Sequence, residues 1–318
     1  MNLHSISSPI SKDGQVTSKK ELLIALTFDA DYDYFDSSMR DDGAAPTFEW
    51  RGIEEGIDVI RGITKTLPLT WFVRVDNQLH TIYGDSGYLL DHYSFIWSSC
   101  KNNGDEIGWH PHLYKQQGNL WTQETDAATL KKNLTQAHGA LKKRGFTPTS
   151  VRIGDAFGSN AIFSILDDLG LRCDSSAMPG RVRTDGERTI DWTGTPNLPY
   201  HPSRTDYRKT GNPSLKILEV PMSMVPVQAS YDKEPYSRYV DLTFFHEALK
   251  PGLQNFLKTA DLLVTISHPS TVLPHVAMKP HGLLSFNATE FCKTFEFIIS
   301  ECKRLERPYR FITVKDCL

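Results

Sequence analysis

Short apolar runs without polar alternation recur along this chain, and segments of helical periodicity lie between them. A strand buried on both faces reads this way, and repeated strand–helix alternation points to a parallel sheet covered by helices. The runs fall at 21–28, 69–75, 105–109, 149–153, 171–173, 215–220, 261–267 and 309–314. Helices are predicted over 51–66, 88–100, 126–143, 160–169, 242–259 and 290–305. The clearest is 126–143, with Leu130, Leu134, Ala137 and Leu141 on one face and Gly145 as its stop. Seven or eight such units fit a barrel or a long doubly wound sheet, both α/β architectures.

With 318 residues, 39% hydrophobic and 23% charged, the chain is too apolar for disorder and lacks the repeats of collagen or a coiled coil. An α/β barrel of about 250 residues forms a single domain, so the length does not require two. A net charge of −3 supplies no cationic field, which argues against nucleic acid and anionic membranes as partners. Cys100, Cys173, Cys292, Cys302 and Cys317 are odd in number and contain no C-x-x-C pair, so neither a disulfide framework nor a cysteine zinc site is expected. Residues 1–20 are polar and lack a signal-peptide run, and no window of about 18 apolar residues suggests an integral membrane segment. A cytoplasmic protein is expected, and the sequons at Asn133 and Asn287 are read as accidents of composition. From 179 to 213 the rhythm fails, with Pro179, Pro196, Pro199, Pro202 and Pro213 among several glycines. That stretch is read as a long irregular insertion over one end of a single domain spanning 21–318.

Four constellations carry chemistry. Thr27-Phe28-Asp29-Ala30-Asp31 ends an apolar strand in two carboxylates two residues apart, a pair that converges on one cation if it is not a solvated turn. A calcium loop is excluded, since its sixth position would be Tyr34 and its twelfth Arg40. A phosphotransferase of the haloacid-dehalogenase type fits poorly, because Asp33 stands where Thr or Val is expected. A D-x-D glycosyltransferase remains open from this segment alone. Glu106-Ile107-Gly108-Trp109-His110-Pro111-His112 follows the next short strand, and in extended chain His110 and His112 point to one side. With Asp31 they would make a His2Asp set with an open position, the composition of a catalytic zinc site. Ser267-His268-Pro269 places a histidine, suited to general acid work, at another strand end, and Arg152 of Val151-Arg152-Ile153-Gly154-Asp155 can orient a carboxylate. All four fall at C-terminal strand ends and would open onto one face. The other histidines, His4, His80, His92, His138, His201, His246, His275 and His281, follow no such pattern and are read as surface or satisfied core groups.

From about Leu22 to Val314 the residues resemble the polysaccharide deacetylases of carbohydrate esterase family 4, especially divergent members from bacterial lipopolysaccharide and O-antigen clusters. Thr27–Asp31 looks like the first motif, in which the first Asp is the general base and the second binds metal. Glu106–His110 looks like the second, metal-binding motif. Arg152, with Leu169-Gly170 and Asp174-Ser175-Ser176, is similar to the third, whose Arg holds the catalytic Asp; Asp191-Trp192 is similar to the fourth, and Ser267-His268-Pro269 to the fifth, whose His is the general acid. Two departures stand out. The usual second motif spaces its histidines four apart, which would place Tyr114 at the second ligand position, so His112 substitutes for it. The third motif commonly has Pro and an aromatic after the Arg, whereas Ile153, Gly154 and Asp155 follow here.

The resemblance implies a distorted (β/α)7-type barrel and a metal-dependent hydrolase that removes an N-acetyl or similar acyl group from an amino sugar of a surface polysaccharide or its precursor. Asp29, His268 and Arg152 would be catalytic, and Asp31, His110 and His112 would hold Zn²⁺, with Co²⁺, Mn²⁺ or Ni²⁺ as alternatives. Trp109, Tyr114, Asp155, Asp191 and Trp192 are the candidate substrate-binding residues, the aromatic ones as flat surface for a sugar. A carbohydrate-binding protein that kept the fold and lost turnover is the alternative from another class. The glycosyltransferase reading is weakened by the lack of a Gly-rich phosphate loop or basic cluster near Asp31.

Overall fold

The structure, a computed structural model, describes residues 19–33, 48–118, 120–185, 188–274 and 282–318. The polar segment up to residue 18, Tyr34, Arg40, His4, His275 and His281 lie outside the described residues.

Two parallel sheets form the frame. Six strands run in the order Leu218–Glu219, Cys173–Asp174, Ser150–Val151, Glu106–Trp109, Thr70–Val73 and Thr27–Ala30. Three more run in the order Leu262–Val264, Leu22–Ala25 and Tyr309–Ile312. The strand expected at 21–28 is two, broken at Leu26, and this break joins the sheets. Leu22–Ala25 pairs with Tyr309–Ile312, whereas Thr27–Ala30 has moved on to Thr70–Val73. Its other flank keeps one partner throughout, with Leu23 opposite Leu262 and Phe28 opposite Ser267. On the remaining seam Ser223 N–H donates to the Val264 carbonyl at 3.0 Å and its Oγ accepts from Val264 N–H at 2.9 Å, and Ile266 N–H donates to the Val240 carbonyl at 3.0 Å. The result is a distorted (β/α)7-type barrel whose remaining seam carries scattered hydrogen bonds instead of a ladder.

The interior is filled by the runs that the sequence marked as apolar. Phe28 stacks on Trp71 with centroids 4.6 Å apart, and Ile24, Leu26 and Phe291 are fully buried around them. Each such side chain contributes roughly 1.5–3 kcal/mol by leaving water. Covering helices start and stop on local signals: Asp126 accepts from Thr129 N–H at 2.8 Å to begin Ala127–Lys143, and left-handed Gly170 ends Asn160–Leu169.

Several boundaries differ from expectation. The helix at 51–66 opens as a π-turn, Gly52–Gly56, before Ile57–Thr64, because both glycines lie against the backbone of Pro269 and Ser270. The helix at 88–100 is divided at Tyr93, whose hydroxyl donates to Glu54 at 2.7 Å, into Tyr88–His92 and Ser94–Asn102. The helix at 242–259 begins only at His246, since Asp241 binds the N–H of Thr243 and makes a turn there. The insertion is irregular apart from a hairpin, Val182–Asp185 with Arg188–Asp191. Two further hairpins, Tyr114–Gln117 with Leu120–Gln123 and Met224–Val227 with Tyr236–Tyr239, are partly exposed and lie outside the expected strands. Among the described residues, no helix is long and apolar enough to cross a membrane.

Candidate metal centre

The parallel strands deliver their next residues to one end of the barrel. Thr27–Ala30 presents Asp29 and Asp31, Thr70–Val73 presents Arg74, Glu106–Trp109 presents His110 and His112, and Ser150–Val151 presents Arg152. All six are buried. Three of them converge: the ligand atoms of Asp31, His110 and His112 lie within 4.8 Å of one another. His110 Nε2 is 3.2 Å from His112 Nε2, and Asp31 Oδ2 is 3.1 Å from His112 Nε2 and 3.8 Å from His110 Nε2. Bonds of about 2.0–2.1 Å at tetrahedral angles place ligand atoms roughly 3.3–3.4 Å apart, so this triangle has the edges of a zinc-type site.

The outward atoms of two of these ligands are already engaged. The Nδ1–H of His110 is positioned to donate to the Arg152 carbonyl at 2.7 Å, which turns Nε2 inward. Asp31 Oδ1 accepts from Arg74 at 3.0 Å, which leaves Oδ2 facing the imidazoles. Arg74 in turn donates to Asp76 at 2.9 Å and Gln78 at 2.6 Å, and Asp76 accepts the backbone N–H of His112 at 3.2 Å. His112 differs, because its Nδ1 is buried without a hydrogen-bond partner. Burial pushes the Asp31 carboxyl upward, but His112 and Arg74 outweigh it and hold the group well below the carboxylate range. For His110 burial acts downward and is outweighed by Asp29 and Asp31, so its value is raised.

Asp29 stands just outside the triangle, with Oδ2 3.9 Å from His110 Nε2. Arg152 donates to its Oδ1 at 2.9 Å and to Thr27 Oγ1 at 2.7 Å. Ser175 accepts the rest of that guanidinium, through its carbonyl at 2.7 Å and its hydroxyl at 3.0 Å. Burial raises Asp29, yet Arg152, His110 and His268 together hold it below its ordinary value, so it is ionised. His268 follows Ser267, whose carbonyl accepts the Asp29 N–H at 3.0 Å and whose hydroxyl donates to Asp241 at 2.7 Å. Burial pushes the Asp241 carboxyl up, against hydrogen bonds from Thr243 and Ser267 and the charge of His268.

The remaining expected site residues divide. Tyr114 lies against His112, with ring centroids 5.1 Å apart, and donates to Asp155. The flat surface expected of Trp109 and Trp192 is corrected: both rings are 0% exposed and donate to the carbonyls of Val75 at 2.8 Å and Ala156 at 2.9 Å, so neither offers a face to a sugar. Asp191 sits apart in the insertion, paired with Arg208 and bound to the Thr193 N–H at 2.9 Å. Arg74, Asp76 and Asp241 escaped the sequence reading. The signal for Arg74 was available, since it follows a buried strand as Arg152 does; Asp241 follows no run long enough to mark it.

No protein-family model and no curated protein sequence matches the chain. Its fold does match solved structures. A candidate glycoside hydrolase/deacetylase of Parabacteroides distasonis superimposes with a TM-score of 0.61 at 14% identity, over 95% of this chain and 71% of that one. A candidate polysaccharide deacetylase of Mycobacterium smegmatis does so with a TM-score of 0.50 at 18% identity, over 97% and 98%. The fold resemblance drawn from the motifs is thus borne out over nearly the whole chain.

Proposed function

We propose that this protein is a metal-dependent hydrolase that removes an N-acetyl or similar acyl group from an amino sugar of a surface polysaccharide or its precursor. One observation carries the reading: Asp31, His110 and His112 form a triangle of metal-ligand dimensions, with Asp29 held beside it by a buried arginine. These ligands suit Zn²⁺, and also Co²⁺, Mn²⁺ or Ni²⁺, and such an ion supplies Lewis acidity that acidifies water and polarises the acyl carbonyl. Asp29 accepts the proton of the attacking water, its free Oδ2 turned toward the site because Arg152 occupies Oδ1. His268, on the loop fixed through Ser267 to Asp241, gives a proton to the leaving amine. Asp155, tied to Tyr114 beside His112, is offered to the sugar hydroxyls.

The test is metal content per chain, on protein purified without a nickel column, together with acetate release from N-acetylated amino sugars. About one equivalent of metal, and turnover lowered roughly 10²–10⁴-fold by Asp29→Asn, is the expected result. A wild type that takes up no metal after supplementation, or turnover that survives Asp29→Asn, overturns the proposal.

A further inference from the structure

We propose that Gly154 is the positioning residue for His112: the absence of a side chain at 154 is what lets the second imidazole reach the metal site from two residues after His110. The inference rests on the preceding reading in one respect, that His112 is a ligand. The two histidines are held by different means. His110 is oriented by a hydrogen bond from Nδ1 to the Arg152 carbonyl, whereas the Nδ1 of His112 is buried with no partner at all. The inner edge of the His112 ring meets Asp31 Oδ2 at 3.1 Å and His110 Nε2 at 3.2 Å, and its backbone N–H donates to Asp76. No hydrogen bond holds the outer edge, so there the ring is seated by shape.

Gly154 forms one wall of that shape. A methyl group at 154 would lie 2.5 Å from Cγ and 2.6 Å from Nε2 of His112, and closer still to Cδ2, where carbon contacts settle at about 3.5–4.0 Å. The backbone of Gly154 is not left-handed, so the glycine is required here for space and not for conformation. Its N–H donates to the Pro111 carbonyl at 3.0 Å, which locks this loop onto the His-Pro-His segment. Two rings complete the seat, His110 at 4.9 Å between centroids and Tyr114 at 5.1 Å. Tyr114 is in turn fixed to Asp155, which is left-handed at φ 55° directly after the glycine.

The two departures from the resembling family's motifs become one. A histidine at the second position needs the space that Gly154 leaves, and any side chain there, proline included, would put atoms into it. Tyr114, at the fourth position, is meanwhile engaged by Asp155.

The experiment compares wild type, Gly154→Ala, His112→Ala and the double variant. Zinc affinity is measured by chelator competition, thermal stability is measured without metal, and histidine-ring NMR spectra of the metal-free proteins are recorded. Gly154→Ala is expected to weaken zinc binding about 10–100-fold, the range for losing support of a ligand. The metal-free ring resonances of His112, identified by their loss in His112→Ala, are expected to move. The stability cost of Gly154→Ala should vanish in the His112→Ala background, since the methyl then has room. Wild-type zinc affinity in Gly154→Ala, or additive stability effects, overturns the inference. If the wild type binds no zinc, the metal reading fails, while the ring resonances and the stability cycle still decide whether Gly154 seats His112. If Gly154→Ala does not fold, the double variant decides: its folding upholds the steric seat, and its failure overturns it.

Discussion

Arg74 is fully buried and joins Asp31 Oδ1 at 3.0 Å, Asp76 Oδ2 at 2.9 Å and Gln78 Oε1 at 2.6 Å. Arg74→Met keeps most of the volume and leaves two buried carboxylates without their cation. Breaking a buried pair from one side costs about 3–5 kcal/mol. For 318 residues, an unfolding entropy of about 2.1 cal/mol/K per residue converts each kcal/mol into roughly 1.5 °C. A fall in melting temperature of about 5–8 °C is therefore expected for the metal-free protein, read by calorimetry in chelator. Loss of a positive charge beside Asp31 strengthens its attraction for a cation, so added zinc should raise the melting temperature at least as much as in wild type. At 100 times its dissociation constant the ion adds about 2.7 kcal/mol, close to 4 °C on the same scale. A fall below about 2 °C in chelator, or no rise with zinc, would refute the view that Arg74 acts as a counter-charge.

Two other sites give independent tests. Burial, with Asp174 beside it, pushes the Glu219 carboxyl well above its ordinary value, and burial raises Asp174 too. The folded pair thus keeps a proton that the unfolded chain releases above about pH 4.3, and the associated stability is lost as pH rises through the folded value. Glu219→Gln should flatten the decline in melting temperature that sets in above about pH 4.3, and parallel curves for the two proteins would count against a shared proton. Gly56→Ala places a methyl 2.8 Å from the Pro269 carbonyl carbon and closer to its oxygen, beside the loop that bears His268. Overpacking of about 1–3 kcal/mol, or roughly 2–5 °C, is expected with reduced turnover and unchanged metal content, and an unchanged melting temperature would show that the loop yields freely.

The frame was legible because parallel strands buried on both faces leave apolar runs that need no partner to be recognised. The strands that lead to Asp29, Asp31, His110, His112, Arg152 and His268 coincided with such runs, and the polar residues ending them marked the site; Tyr114 and Asp191 sit on hairpin strands that no run announces. What was hidden depends on contacts distant in sequence. The break at Leu26 exists because two different strands, Tyr309–Ile312 and Thr70–Val73, share one flank, and nothing within 21–28 records that. Trp109 and Trp192 looked like sugar platforms because they stand in segments that resemble motifs, yet each indole N–H is used on a carbonyl inside the fold. Gly154 looked like the weakening of a motif; only the position of the His112 ring gives it a purpose.

Asp29 and Asp31 are the same side chain two residues apart, and their difference is decided by which oxygen each arginine takes. Arg152 occupies Oδ1 of Asp29 and Arg74 occupies Oδ1 of Asp31, so each presents Oδ2 to the barrel's open end. Only the Oδ2 of Asp31 lies close to both imidazoles, at 3.1 and 3.8 Å; that of Asp29 is 3.9 Å from the nearer one. The same logic fixes what asparagine does at each position. A guanidinium donates and needs an acceptor, so the amide oxygen of Asp31→Asn turns to Arg74 and the NH2 faces the two Nε2 atoms, where it offers no lone pair to a cation. Asp31→Asn should then lose the metal outright, while Asp29→Asn retains it and loses only its proton acceptor. A full equivalent of metal in Asp31→Asn would mean that the amide oxygen faces the imidazoles, and the orienting role of Arg74 would fall with that result.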